Sequence, residues 1–105
     1  MHLYDVDGEF WIAASDEDDL KRILSELLGD DEVAELMGDA SIVPPAQPFT
    51  VHFEDNPAPE RIPPGAPATR VDGQLVVSAT AQAWADHAAR CGDTPGHREI
   101  ASIYT

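Results

Sequence analysis

The chain has 105 residues and a formal net charge of −14, set by 20 acids against six bases. Such a charge disfavours direct binding to a phosphate backbone or to anionic lipid, and makes a basic protein surface the expected kind of partner. A single cysteine, Cys91, excludes an internal disulfide and suits a reducing compartment. With no secretory leader pattern and no apolar run of membrane-spanning length, the cytoplasm is the expected location.

In chain order, the first signal is Asp7-Gly8 between two apolar-patterned runs, His2–Val6 and Glu9–Ala14. Asp-Gly favours a two-residue turn with positive φ at both positions, so a hairpin is expected. That turn pairs Leu3 with Ile12, Tyr4 with Trp11 and Asp5 with Phe10. One face then carries Leu3, Phe10 and Ile12 and the other Tyr4, Val6 and Trp11, and either could face the core.

A helix follows, with Ser15 as N-cap and Asp16–Asp19 in the first turn, where the helix dipole favours acids. Leu20, Ile23, Leu24, Leu27 and Leu28 make one apolar stripe, and Gly29 ends it. A short helix over about Asp31–Met37 and a short strand over Ser41–Val43 come next, stopped by Pro44 and Pro45. Phe49–Glu54 alternates as a half-buried strand. Beyond it, Pro57, Pro59, Pro63, Pro64 and Pro67 read as a stiff surface loop.

The second half resembles the first. Val6-Asp7-Gly8-Glu9 leading to Ser15 aligns with Val71-Asp72-Gly73-Gln74 leading to Thr80, and Glu17 and Leu20 match Gln82 and Ala85. A helix over about Ala81–Cys91 turns Trp84, Ala88 and Cys91 to one side and stops at Gly92. Ala40-Ser41-Ile42-Val43 rhymes with Ala101-Ser102-Ile103-Tyr104. Two accounts fit: an internally duplicated ββα unit (1–44 and 66–105, joined by a strand and a Pro-rich connector over 45–65), or separate use of common turn and cap devices. Either way the expectation is one α+β domain over 1–105. It would have an antiparallel sheet built from two Asp-Gly hairpins, with both main helices on one face.

The acids are unevenly placed. Residues 1–39 hold thirteen against Lys21 and Arg22, a net of −11, while residues 40–105 hold seven against four arginines, a net of −3. Off the apolar stripe lie Asp16, Glu17, Asp18, Asp19 and Glu26, continued by Asp30, Asp31, Glu32 and Glu35. Acids one helical turn apart are roughly 5–6 Å apart, near the spacing of phosphates along a strand. These nine are the candidate partner-binding residues, and a solvated face is the plainer account of them.

Other chemistry is sparse. Asp5, Asp7 and Glu9 fail the order of a calcium loop, because Gly8 precedes Glu9 and the twelfth position is Asp16. His2, His52, His87 and His97 show no metal-ligand spacing with Cys91, which reads as a buried small hydrophobe. His52 and Glu54 share a strand face and read as solvent-facing. No catalytic site, metal or cofactor is expected.

The run Tyr4-Asp5-Val6-Asp7-Gly8-Glu9-Phe10-Trp11-Ile12-Ala13-Ala14-Ser15-Asp16, continuing into the acidic helix, resembles the opening of small proteins encoded by bacteriophages and mobile elements. The likeness covers residues 3–28, with an echo in Ile100–Tyr104. Small acidic proteins of this kind are the general type of the anti-CRISPR and anti-restriction inhibitors, which present carboxylates where phosphates would sit. The resemblance implies a non-enzymatic decoy that binds the nucleic-acid-binding surface of a basic protein or ribonucleoprotein complex, and carries over no individual residue. The alternative is a homodimeric assembly module whose acids serve only as solvated surface, so the chain itself would be a monomer or a homodimer.

Overall fold

Both faces of the first strand pair are apolar, and this decides the architecture. In the computed structural model, which describes residues 1–54 and 61–102, strands β1 (His2–Val6) and β2 (Phe10–Ala14) pair antiparallel. Their partners are Leu3↔Ala13, Tyr4↔Ile12, Asp5↔Trp11 and Val6↔Phe10, one residue out of the expected register. The connection is three residues long, Asp7-Gly8-Glu9, with φ of 57° at Asp7 and 68° at Gly8. A two-residue turn would set Asp5 beside Phe10 on a wholly apolar face. The extra residue places Asp5 opposite Trp11 instead, and gathers Tyr4, Val6, Phe10 and Ile12 on one side. Asp5 Oδ1 accepts from the Gly8 N–H at 2.8 Å, which holds the loop.

Helix α1 (Glu17–Leu28) and the short α2 (Val33–Gly38) cover that side, and Leu20, Ile23, Leu24, Val33 and Leu36 fill the core against Tyr4 and Ile12. The α1 cap is Asp16 rather than Ser15: its carboxylate accepts from the Asp19 N–H at 2.8 Å, while Asp19 reaches back to the Ser15 N–H. Strand β3 (Ala40–Ile42) then pairs with β1.

The remaining chain builds a second, three-stranded antiparallel sheet from β4 (Pro48–Phe53), β5 (Ala68–Val71) and β6 (Gln74–Thr80), in the order β4-β6-β5. Here Asp72-Gly73 is a two-residue turn, with Val71 opposite Gln74. Helix α3 (Ala81–Cys91) is capped by the Thr80 hydroxyl, which accepts from the Ala83 N–H at 3.1 Å. The short α4 (Pro95–Arg98) leads into β7 (Glu99–Ser102), which pairs with β2 and completes the first sheet as β3-β1-β2-β7.

The two main helices therefore lie on opposite faces of the four-stranded sheet, not on one. Leu3 and Ala13 on its second face pack with Trp84, Ala85 and Ala88 of α3 and with Val51 and Val77 of the second sheet. The same alternation that sends Tyr4 and Ile12 to α1 sends Leu3 and Ala13 to α3, so one layer divides two cores. Trp84 is buried and donates from Nε1 to the Phe49 carbonyl at 2.9 Å, tying α3 to β4. No helix among the described residues is long and apolar enough to cross a membrane. Pro57, Pro59, Ile103 and Tyr104 lie outside the described residues.

Candidate partner-binding surface

The nine acids expected to form one array fall into three groups. Asp16, Glu17 and Asp18 are exposed at the N-terminus of α1. Asp16 is committed to its cap, whereas no ion pair involves Glu17 or Asp18 among the described residues. Their field reaches inward: burial first, then the Glu17, Asp16 and Asp19 carboxylates, push the Tyr4 phenol above its ordinary pKa.

Asp19 is a structural residue, which corrects its assignment to the surface. Its side chain is only 17% exposed and meets Arg98 at 3.1 Å and Arg22 at 2.8 Å, besides accepting from the Ser15 N–H and hydroxyl. Burial would raise its pKa. The Ser15 N–H and the two guanidiniums outweigh that and hold the carboxyl below the usual range. Glu26 is exposed but shares Arg22 with Asp19, at 3.3 Å. The middle of α1 is thus an acid-base-acid row, Asp19–Arg22–Glu26, and not an unbroken stripe of carboxylates.

Asp30, Asp31, Glu32 and Glu35 are exposed and form no ion pair among the described residues. Gly29, at φ 83°, turns the chain out of α1, and Glu32 precedes α2 at the N-cap position without using its carboxylate as a cap. Here the structure adds residues that the nine did not include. The Asp7 N–H donates to the Asp39 carbonyl at 3.2 Å, so the β1–β2 turn abuts the end of α2. Asp7 and Asp39, both exposed, are thereby brought together, with the half-exposed Glu9 in the same turn. With Asp30, Asp31, Glu32 and Glu35 these make seven acids of the first unit, none ion-paired among the described residues. The sequence held a signal for the contact of turn and α2, since α1 must run back along β2 and return the chain to the turn. Asp16–Asp18 sit at the other end of α1, one helix length away, roughly 18 Å for twelve residues.

Elsewhere, His52 and Glu54 are both exposed with no hydrogen bond joining them among the described residues. Cys91 is not fully buried as expected. It is half-buried, with Sγ 3.7 Å from His87 Nε2, because the last turn of α3 faces a cleft rather than the core. Arg98, whose neighbours in the sequence give no sign of burial, is the one charged residue among the buried described ones, 5% exposed. No group of three or more His, Cys, Asp or Glu could hold a metal ion among the described residues. In comparison with known proteins, the chain matches no family model, no curated protein and no solved structure.

Proposed function

We propose that this protein is a non-enzymatic acidic inhibitor or decoy whose turn-end surface docks on the basic nucleic-acid-binding surface of a larger protein or ribonucleoprotein complex, an anti-CRISPR-like action being its sharpest form. The observation that carries this reading is that Asp7, Glu9, Asp30, Asp31, Glu32, Glu35 and Asp39 face solvent without ion pairs among the described residues, with Asp7 and Asp39 joined through a backbone hydrogen bond. Like charges one helical turn apart cost a few tenths of a kcal/mol per pair. A one-sided field also steers a basic partner and speeds its association. Glu17 and Asp18 extend the field at the far end of α1, while Asp19 and Glu26 are spent on arginines.

The test is recovery of the partner from host lysate at about 0.1 M and about 1 M NaCl, where the Debye length falls from roughly 10 Å to 3 Å. The expected partner binds nucleic acid, is lost at high salt, and is displaced by excess DNA or RNA. Charge reversal of Asp31, Glu32 and Glu35 to Lys should abolish recovery. Recovery unchanged by that reversal would defeat the proposal.

A second reading, a homodimeric module, is favoured by Ile42 on the edge strand β3 and Val71 on the edge strand β5, 49% and 51% exposed. Light scattering that gives twice the chain mass at both salts would support it. The element order ββααβ occurs twice around β4, which favours an internal duplication within a single 1–105 domain.

A further inference from the structure

Each sheet leaves two strands at its margins, β3 and β7 in the first and β4 and β5 in the second. An edge strand is a template for further strands unless a charge, a proline or a cover blunts it. Glu99 stands in β7, Pro48 and His52 in β4, and Arg70 in β5, whereas β3 is Ala40-Ser41-Ile42, with nothing of the kind. Hydrogen bonds at the two ends of β3 fix which of its backbone groups face outward. The Asp7 N–H donates to the Asp39 carbonyl at 3.2 Å, and the Val43 N–H donates to the Leu3 carbonyl at 2.8 Å. Bonded pairs alternate along an antiparallel ladder. Ser41 therefore bonds to Asp5, while Ala40 and Ile42 turn their N–H and C=O groups away from β1. No strand lies on that side among the described residues, and the Ile42 side chain is 49% exposed.

We propose that β3 is the contact through which two copies of this chain pair, antiparallel about a two-fold axis at Ser41. The inference rests on the homodimeric reading and names its interface. In this register Ala40 meets Ile42 of the second copy on both sides of the axis, and the outward groups of both strands are all used, in four hydrogen bonds. Ile42 lies beside the small Ala40 of the second copy, and Ser41 faces its own counterpart. Pro44, which has no N–H, ends the pairing where it would meet Gly38. Asp39, the acid next to β3, stays at least roughly 13 Å from its counterpart, four residues along at about 3.3 Å each. That exceeds the Debye length at physiological salt, so two strongly acidic chains can meet here. A second copy also fits better than a free peptide. Ordering three free residues costs about as much as these bonds return, whereas β3 is already held by β1. Ala40 packs on the α1 side of the sheet, so the doubled sheet carries α1 of both copies, with its acids, on one face.

A thiol placed on the axis tests this. Directly opposed residues of a non-bonded pair have Cα atoms about 4.5 Å apart, within reach of a disulfide. In the full chain carrying Cys91→Ser, so that no other thiol is present, Ser41→Cys should oxidise to a covalent dimer on a non-reducing gel. It should do so about tenfold or more faster than Thr69→Cys, which sits on the edge strand β5. In the wild-type chain, Ile42→Pro removes one outward N–H and leaves the ladder to β1 whole. It should raise the dimer dissociation constant, by sedimentation equilibrium, about tenfold or more. Cross-linking of Ser41→Cys no faster than that of Thr69→Cys would overturn the proposal. So would an Ile42→Pro dimer of wild-type affinity with its circular dichroism intact. In either case a wild-type dimer leaves the homodimeric reading standing, whereas a monomer up to about 1 mM sinks both. Should Ile42→Pro lose its fold, the comparison of the two cysteine variants decides alone.

Discussion

Replacing Arg98 with Met tests how the two cores are tied together. The Arg98 guanidinium is buried and donates to five acceptors: the Gly92 carbonyl at 2.8 Å, the Ala13 carbonyl at 3.5 Å, Asp19 at 3.1 Å, Asp93 at 2.6 Å and Met1 Sδ at 3.7 Å. The Asp93 side chain is 85% exposed, so that arm is worth about 1 kcal/mol at most. The Asp19 arm is different, with its partners only 6% and 17% exposed, and breaking a buried pair costs about 3–5 kcal/mol. Asp19 keeps Arg22 and the Ser15 N–H in the variant, and Met refills much of the volume, so about 2–3 kcal/mol is the expected loss. For a chain of this size that lowers Tm by roughly 10–20 °C. Urea and thermal denaturation followed by circular dichroism measure it, and a double-mutant cycle with Asp19→Asn isolates the pair. Because the Asp19 carboxyl is lowered in the folded state, its stabilising effect is fully present above the unfolded carboxylate pKa, about 3.9. It is lost as pH falls through the folded value, so wild type and Asp19→Asn should converge in strong acid. A loss under about 0.5 kcal/mol, or strict additivity in the cycle, would show that the pair behaves like a surface contact and refute the reasoning.

Three further outcomes are expected. Thr80→Ala should cost about 1 kcal/mol by urea denaturation, since it removes the acceptor for the Ala83 N–H. Gly8→Ala should destabilise by about 1 kcal/mol through its φ of 68° alone, because open space surrounds the added Cβ, and an unchanged midpoint would contradict the turn geometry. Lys at Asp31, Glu32 and Glu35 should change stability by less than about 0.5 kcal/mol while abolishing partner recovery, which separates binding from folding.

How much of this was legible before the structure varies by element. The stripe of Leu20, Ile23 and Leu24 follows from a period of 3.6 residues, and Phe49, Val51 and Phe53 from a period of two, so both elements and their inward sides are readable locally. The turn at Asp7-Gly8 was visible, but its extra residue was not. That residue depends on which face α1 covers, a contact between distant segments. The split into two sheets was hidden for the same reason, since β7 joins β2 across most of the chain. Of the acids on α1, exposure was readable from the helical wheel except at Asp19. Pairing was not, because Asp19 meets Arg98 from 79 positions away. Arg98 itself carries no local pattern that marks it as buried.

The pairing of β7 with β2 has a consequence for the order in which this chain can be made. About 85 residues separate Ala14 from Glu99. At a synthesis rate of roughly 5–20 residues per second, the newly made β2 waits roughly 4–17 s for the strand that covers its open edge. Throughout that wait the nascent chain carries an unpaired, apolar strand edge, the kind of template on which other chains add. The thirteen acids of residues 1–39 are all translated by then, and their mutual repulsion between copies gives the unfinished chain a defence that works before any fold exists.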